Sequence, residues 1–366
     1  MDVRIERMAR VLANYSLGVQ PGEWIVIRAQ PVAEPLLKAL YKEILTAGGH
    51  PQLVVEPPWQ MHTFHLYGSD DQLDFVSPLE YLQVDRMDGY IEVLSENNIR
   101  ALSNVSPPRI QRRSRARTDL RQRFDDRSAE GTLRWVLTLY PTEAYAQGAE
   151  MSLEEYQDFV YRAALVDSDD PVTRWEEMAA RQRQLTAWLE GRNEVHIRGA
   201  DVDLRLSVKG RIIATAAGRT NFPDGEIYVA PLEESANGWV RFTYPATIQG
   251  REVSGIEFTF EKGRIVKATA SRNEDALLAL LDTDAGARYL GELGIGTNPG
   301  VNRFTHNILF DEKIQGTFHL AVGSSADGTD GVNHCAIHED IVCDLKEGEI
   351  TVDGDLFYRN GDFVVS

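Results

Sequence analysis

Five side chains in the last third of the chain are of types that bind divalent metal ions. They are two glutamates, two histidines and an aspartate: Glu226, Glu292, His319, His338 and Asp340. The set mixes oxygen and nitrogen donors and contains no cysteine, which suits one or two catalytic ions rather than a structural zinc site. Ions held in this way support hydrolysis or oxygen chemistry. The sequence therefore predicts a catalytic metal centre between residues 221 and 340.

Strand periodicity indicates how three of these side chains could meet. His338 and Asp340 stand at positions i and i+2 of the predicted strand IHEDIV, so both point to one face with their Cα atoms about 6.6–6.8 Å apart. In the run TFHLAV, His319 alternates with Phe318 and Leu320 and lies on the less apolar face. His338 and Asp340 could thus converge on one ion, whereas His319 is either a further ligand or a satisfied core residue.

The two glutamates are harder to place from the sequence. Glu226 follows the turn sequence Pro223–Gly225, which predicts a side chain at the start of a strand and at a surface-facing edge. Glu292 is expected at the end of a helix spanning about 274–292. A further carboxylate, Glu312, is either a group that assists proton transfer or an ordinary solvated residue at a strand end.

The elements around these residues fall into two patterns. Residues 1–188 alternate between helical stretches and short apolar runs, which predicts an α/β domain with a mostly parallel sheet. Within it, Ser152 and Glu155 form a capping-box signature for a helix. Residues 189–366 contain many short strand-like runs separated by turn residues, which predicts an antiparallel-rich α+β domain. This second domain would carry the metal centre.

Composition narrows the function classes. The formal charge of −18 over 366 residues disfavours nucleic acid and anionic membranes as partners and favours cations, including metals and peptides with a free amino group. A basic segment, 109–117, is followed at once by acidic residues, which predicts a salt-bridged surface helix. No window reaches the roughly 18 apolar residues of a membrane span. Only two cysteines, Cys335 and Cys343, are present, so a reducing, cytoplasmic location is expected.

Several motifs together point to a known family. The segments NFPDGEIYVAP, YLGELGIG, ILFDEKIQGTFHLAVG and IHEDIV resemble the thermophilic metalloaminopeptidases of the aminopeptidase T type, peptidase family M29. The resemblance covers nearly the whole chain. It includes the 66-residue interval from Glu226 to Glu292, which is similar to the spacing of the family's two ligand glutamates.

The resemblance implies a metalloaminopeptidase, a hydrolase that releases N-terminal residues from short peptides with two divalent ions such as zinc, cobalt or manganese. The ions would be held by Glu226, Glu292, His319, His338 and Asp340, with Glu226 and Glu292 also acting in catalysis. The resemblance further implies a homodimer. One departure is visible: the family has a tyrosine seven residues after the position of His319, where this chain has Ala326.

A second reaction class fits part of the same set. His319, His338 and Asp340 make two histidines and one carboxylate, the facial triad of mononuclear non-haem iron oxygenases. The alternative function is therefore a ring-cleaving dioxygenase of the dihydroxypyridine type that uses iron. Such an enzyme would have no need of Glu226 or Glu292.

Overall fold

The computed structural model describes residues 2–248 and 250–365. The chain divides into two compact units, one of Met1–Arg174 with Gly218–Phe222 and one of Trp175–Ala217 with Pro223–Ser366. The division falls inside the helix Pro171–Leu189. The sequence places the boundary at the other end of this helix, after residue 188, and that boundary stays a prediction. Among the described residues, no helix is both long and apolar enough to span a bilayer.

The described residues form twelve α-helices and twenty β-strands. The α-helices are α1 Val3–Arg10, α2 Glu34–Thr46, α3 Gln60–Tyr67, α4 Asp70–Asp74, α5 Pro78–Arg86, α6 Pro107–Ala116, α7 Thr118–Ala129, α8 Glu143–Gly148, α9 Leu153–Ala163, α10 Pro171–Leu189, α11 Glu274–Leu281 and α12 Ile308–Asp311. A π-helical turn, Val11–Ser16, and a 3₁₀ turn, Pro31–Ala33, accompany them. The strands are β1 Trp24–Ala29, β2 His50–Val55, β3 Gly89–Leu94, β4 Arg134–Leu139, β5 Glu194–Gly199, β6 Val202–Ser207, β7 Ile213–Ala216, β8 Asn221–Phe222, β9 Glu226–Val229, β10 Asn237–Arg241, β11 Ala246–Ile248, β12 Arg251–Val253, β13 Glu257–Glu261, β14 Arg264–Thr269, β15 Leu290–Gly296, β16 Thr317–Gly323, β17 His338–Asp344, β18 Glu349–Val352, β19 Asp355–Arg359 and β20 Asp362–Phe363.

The first unit contains a five-stranded parallel sheet in the order β2-β1-β3-β4-β8. Its central strands carry the apolar runs seen in the sequence, and Ile25, Ile27 and Ile91 are fully buried. The capping box at Ser152 and Glu155 is present at the start of α9. The predicted N-terminal α/β domain with a parallel sheet is therefore confirmed.

The basic segment of this unit forms α6 and the residue after it. Arg112 pairs with Asp70 and Asp74 on α4, and Arg113 and Arg117 pair with Glu80 on α5. These pairs are partly or fully solvent-exposed, so each contributes little to stability. They make α6 a salt-bridged surface helix, and the acidic partners lie on α4 and α5, which precede the segment in the chain.

The second unit is built from antiparallel sheets, as predicted. Eight strands pair in the order β14-β13-β10-β6-β5-β18-β19-β20, five in the order β17-β16-β15-β9-β7, and β11 pairs with β12. The two large sheets contribute to one apolar core, which includes Ile197 and Phe258 from the first and Leu293, Phe318 and Leu320 from the second. Only one face of the five-stranded sheet is used for this core, which leaves the other face for polar side chains.

Two local predictions are wrong. The helix expected over 274–292 ends at Leu281, and Glu292 lies within β15 instead of at a helix end. Gly291, which follows Leu290, disfavours a helix, because glycine costs about 1 kcal/mol in a helix interior. It also suits a strand in which neighbouring atoms leave no space for a side chain. Glu312 follows the short helix α12, whose first turn is capped by the Asn307 side chain, and is not at a strand end.

Candidate metal centre

The predicted ligands lie on one face of the five-stranded sheet. Alternation along each strand sends apolar side chains to the core and leaves the other face for the polar ones. The core side receives Ile227, Val229, Leu293, Ile295, Phe318, Leu320, Val322, Ile341 and Cys343. The opposite face receives the carboxylates and imidazoles: Glu226 from β9, Glu292 from β15, His319 from β16, and His338 and Asp340 from β17. Four adjacent strands therefore supply the candidate site.

Small residues separate the large ones across this face. Ala321 of β16 is paired with Asp340 on one side and with Glu292 on the other. Gly294 of β15 is paired with His319, and a Cβ atom at Gly294 would lie only 2.1 Å from the imidazole Nε2 and Cε1 atoms. The ring of His319 thus occupies the space that a side chain at position 294 would need. Without these small residues the donors could not converge.

A register shift in β15 decides which way Glu292 points. Leu290 pairs with Val322, and the pairing resumes with Glu292 opposite Ala321, so Gly291 has no partner of its own, as in a β-bulge. Leu290 and Leu293 both reach the core although they are three residues apart. The extra residue changes the alternation and turns Glu292 to the site face.

The first group of donors is buried. Glu226 and Glu292 are each 6% exposed and His319 is fully buried. His319 Nε2 lies 3.1 Å from Glu226 Oε2 and 3.2 Å from Glu292 Oε1. Donor atoms of these three residues all lie within 4.8 Å of one another. The expectation of a surface-facing Glu226 is therefore wrong, because β9 is an interior strand between β15 and β7.

The second group shares one member with the first. His338 Nε2 lies 3.5 Å from Glu292 Oε2 and 3.6 Å from Asp340 Oδ2, and these residues again meet the 4.8 Å spacing. His338 Nδ1 is 2.8 Å from the backbone oxygen of Ser324. A carbonyl oxygen can only accept, so Nδ1 carries the proton and Nε2 is left to act as a ligand.

Two residues of this centre, Lys313 and Asp224, were not predicted from the sequence. Lys313 is fully buried, and its ammonium group contacts carboxylate oxygens of Glu226 and Glu312 and lies 3.5 Å from Asp224 Oδ1. Lysine is rarely buried without partners, and here three carboxylates surround it. The segment FDEK and the turn before Glu226 contain these groups, but nothing in their spacing shows that they meet.

Burial and the neighbouring charges determine the ionisation of this cluster. Burial raises the pKa of Glu292 and also raises that of Glu312 well above its usual range. Burial opposes charge at Glu226 too, but the Lys313 ammonium and His319 lower the pKa of that carboxyl. Likewise, burial alone would lower the pKa of Lys313, yet the charges of Glu226, Glu312 and Asp224 raise it well above its ordinary value.

The donor set fits a divalent cation. Asp340 Oδ1 is buried and receives no hydrogen bond from any residue that the structure describes. A buried carboxylate oxygen without a donor is costly unless a cation or water satisfies it. Carboxylate oxygens together with imidazole Nε2 atoms suit ions such as zinc, cobalt, manganese or iron. The structure thus brings the predicted ligands together, and their assignment as metal ligands stays a prediction.

Comparison with known proteins identifies the family of the chain. The model of the thermophilic metalloprotease family (M29) matches residues 1–363. The chain belongs to this family. The resemblance seen in the motifs is thereby confirmed, as is the prediction that the protein is a metal-dependent peptidase. Membership also implies a divalent metal.

Individual relatives agree in fold and extent. Aminopeptidase 2 of Geobacillus stearothermophilus is 24% identical over an alignment that covers 99% of this chain and 98% of that protein. The solved structure of wild-type AmpT from Thermus thermophilus is similar with a TM-score of 0.86 at 20% identity, over 99% of both chains. A 2,5-dihydroxypyridine dioxygenase from Pseudomonas putida KT2440 has a TM-score of 0.62 at 13% identity, over 99% of this chain and 97% of that one. These structural likenesses confirm the fold and do not separate the two reaction classes.

Proposed function

We propose that this protein is an aminopeptidase that removes N-terminal residues from short peptides with two divalent metal ions. The ligands would be the five predicted residues: Glu226, Glu292, His319, His338 and Asp340. The names of its relatives, which are aminopeptidases of the same family, support the reaction. The geometry of the donor groups supports the number of ions.

The observation that carries the proposal is the position of Glu292 between two sets of donors. Its Oε1 atom lies beside His319, and its Oε2 atom lies beside His338. Glu226 completes the first set and Asp340 the second. Two-metal hydrolases hold their ions about 3.5–4 Å apart, a separation that one carboxylate can span with its two oxygens. Glu292 is suited to be that bridging carboxylate.

The chemistry follows from the groups on this face. Bound divalent ions would polarise the scissile carbonyl and acidify a water molecule so that it can attack. Glu226, Glu292 and the two histidines would hold and orient the centre. Glu312 is not needed by either set, and its position beside His319 and Asp340 suits a group that accepts a proton from water and passes it on.

The test combines ion counting with a substrate panel. Metal-free protein titrated anaerobically with cobalt is expected to bind two ions per chain, and Glu226→Gln or Glu292→Gln should weaken that binding. The loaded enzyme should cleave dipeptides and aminoacyl anilides but not N-acetylated forms of the same compounds, which lack a free amino group. Failure to cleave any of them would contradict the proposal.

The second candidate is the mononuclear iron dioxygenase, which is favoured by the arrangement of His338 and Asp340 near His319 and by the fold likeness. It would bind one ion, with an affinity that does not depend on Glu226 or Glu292, and would consume oxygen with a dihydroxypyridine. The presence of both glutamates in the centre argues for the peptidase.

The homodimer and the cytoplasmic location expected from the sequence stay predictions. Sedimentation analysis would test whether the protein is a homodimer.

A further inference from the structure

Lys313 is a buried cation within a centre that is otherwise acidic. Its side chain is completely buried, and its Nζ atom contacts Glu226 Oε1 and Glu312 Oε1, with Asp224 Oδ1 at 3.5 Å. The function proposed above gives this lysine no part in holding ions or moving protons. An ammonium group in this position nevertheless determines which carboxylate oxygens are available to a metal.

The backbone around Lys313 is held in place. The backbone N–H of Asn298 donates to the carbonyl oxygen of Lys313 at 3.1 Å. The side-chain amide of Asn298 donates to the carbonyl oxygen of Asp224 at 2.7 Å. Asn298 is itself fully buried. Through this one residue, Lys313 and Asp224 are fixed relative to each other, so the ammonium group is a built part of the centre.

The contacts of Lys313 divide the carboxylate oxygens into two classes. Its ammonium group engages one oxygen of Glu226, whose other oxygen faces His319. It also engages one oxygen of Glu312, which otherwise forms a third possible ion site with His319 and Asp340. Glu292 has no such contact, and both of its oxygens face imidazoles. The lysine therefore competes with metal at Glu226 and Glu312 but not at Glu292.

The charge balance of the centre also indicates a role for the Lys313 ammonium group. The centre contains five carboxyl groups, on Asp224, Glu226, Glu292, Glu312 and Asp340. When bound cations keep all five ionised against the effect of burial, the formal charge with one ammonium group is minus four, which two divalent ions neutralise. Without the ammonium group one negative charge would stay uncompensated in a buried place, which is strongly unfavourable. A third cation or a proton would have to replace it.

We propose that Lys313 is a positioning residue and an internal counter-cation that limits the centre to two metal ions. It does so by keeping Glu312 and one oxygen of Glu226 out of metal coordination. Glu226 would thereby hold an ion through a single oxygen, Glu292 would be the carboxylate with both oxygens available to ions, and Glu312 would stay outside metal coordination. This inference rests on the proposed two-metal function.

The test counts ions in matched variants by equilibrium dialysis against cobalt followed by elemental analysis. At concentrations that saturate the wild type, Lys313→Met is expected to bind one ion more per chain than the wild type, at the position released beside Glu312. The double variant Glu312→Gln/Lys313→Met removes one charge of each sign and is expected to return to the wild-type number. Met matches the length of the lysine stem, so a comparison of the single and double variants measures the effect of charge alone.

An unchanged ion number in Lys313→Met, with affinities within about threefold of the wild type, would overturn the proposal. If Lys313→Met does not fold, the double variant decides: the wild-type number supports the charge role, while an extra ion, or no binding, contradicts it. Failure of the two-metal function is distinguishable, because it would appear as a single ion in the wild type. The change in ion number caused by Lys313→Met is measured independently of that value.

Discussion

Replacing Gly294 by alanine tests whether the glycine creates the space for the imidazole of His319. The added Cβ atom would lie 2.1 Å from ring atoms, whereas ordinary contacts begin near 3.4 Å. The ring would therefore have to move by more than about 1 Å, which is beyond the roughly 0.5 Å tolerance of a preorganised site. Overpacking of this kind costs about 1–3 kcal/mol. If the cost falls on the metal complex, cobalt affinity should drop about 5- to 140-fold, since 1.4 kcal/mol is tenfold.

The assay is an anaerobic cobalt titration followed by absorption, with urea unfolding of the metal-free protein beside it. Gly89→Ala is the matched control, because its Cβ would lie 2.7 Å from Ile25 Cδ1 in the parallel sheet of the first unit. The control should lose stability and keep its cobalt affinity. In a His319→Ala background, Gly294→Ala should have little further effect on binding. Wild-type cobalt affinity in Gly294→Ala would refute the argument.

Three further outcomes are expected. Glu292→Gln should weaken the binding of both ions, whereas Glu226→Gln should weaken one, as counted by elemental analysis; equal effects would contradict a bridging role for Glu292 alone. Chelation should lower the free energy of unfolding, by about 2.7 kcal/mol relative to protein at a metal concentration 100 times the Kd, as measured by urea unfolding. Burial raises the pKa of Asp311 to about 7 from 3.8, so its stabilising contribution is present below about pH 4 and is lost as the pH rises through 7. Asp311→Asn should therefore gain stability relative to the wild type over that range, by up to about 1.4 kcal/mol per pKa unit; parallel pH profiles would contradict this.

The sequence was sufficient where alternation alone decides the direction of a side chain. The patterns around His319 and around His338 and Asp340 predicted strands and a common face, and the structure places these side chains within 4.0 Å of a neighbour in the centre. The parallel and antiparallel character of the two domains was also predictable, because it depends on the order of helical and strand patterns along the chain.

What could not be predicted depends on contacts between distant segments. Lys313 follows Glu312 in the sequence, but its pairing with Glu226, 87 residues away, is visible only in the fold. The role of Gly294 is equally hidden, since the residue itself has no chemistry and acts through the ring on the neighbouring strand. Glycines in strands commonly mark such close approaches, but the partner that approaches cannot be read from the glycine.

The misplacement of Glu292 has a more specific cause. Read as a regular strand, Leu290 and Glu292 would point to the same side, and a glutamate in the apolar core is implausible, which favours a helix end instead. The register shift at Gly291 removes this conflict, because it sends Leu290 and Leu293 to the core and Glu292 to the opposite face. Gly291 suits that position, since a Cβ there would lie 1.9 Å from the carbonyl oxygen of Ser324. The proposed bridging ligand thus depends on one extra residue in β15, and the same irregularity that hides the strand from periodicity gives the centre the carboxylate that faces both histidines.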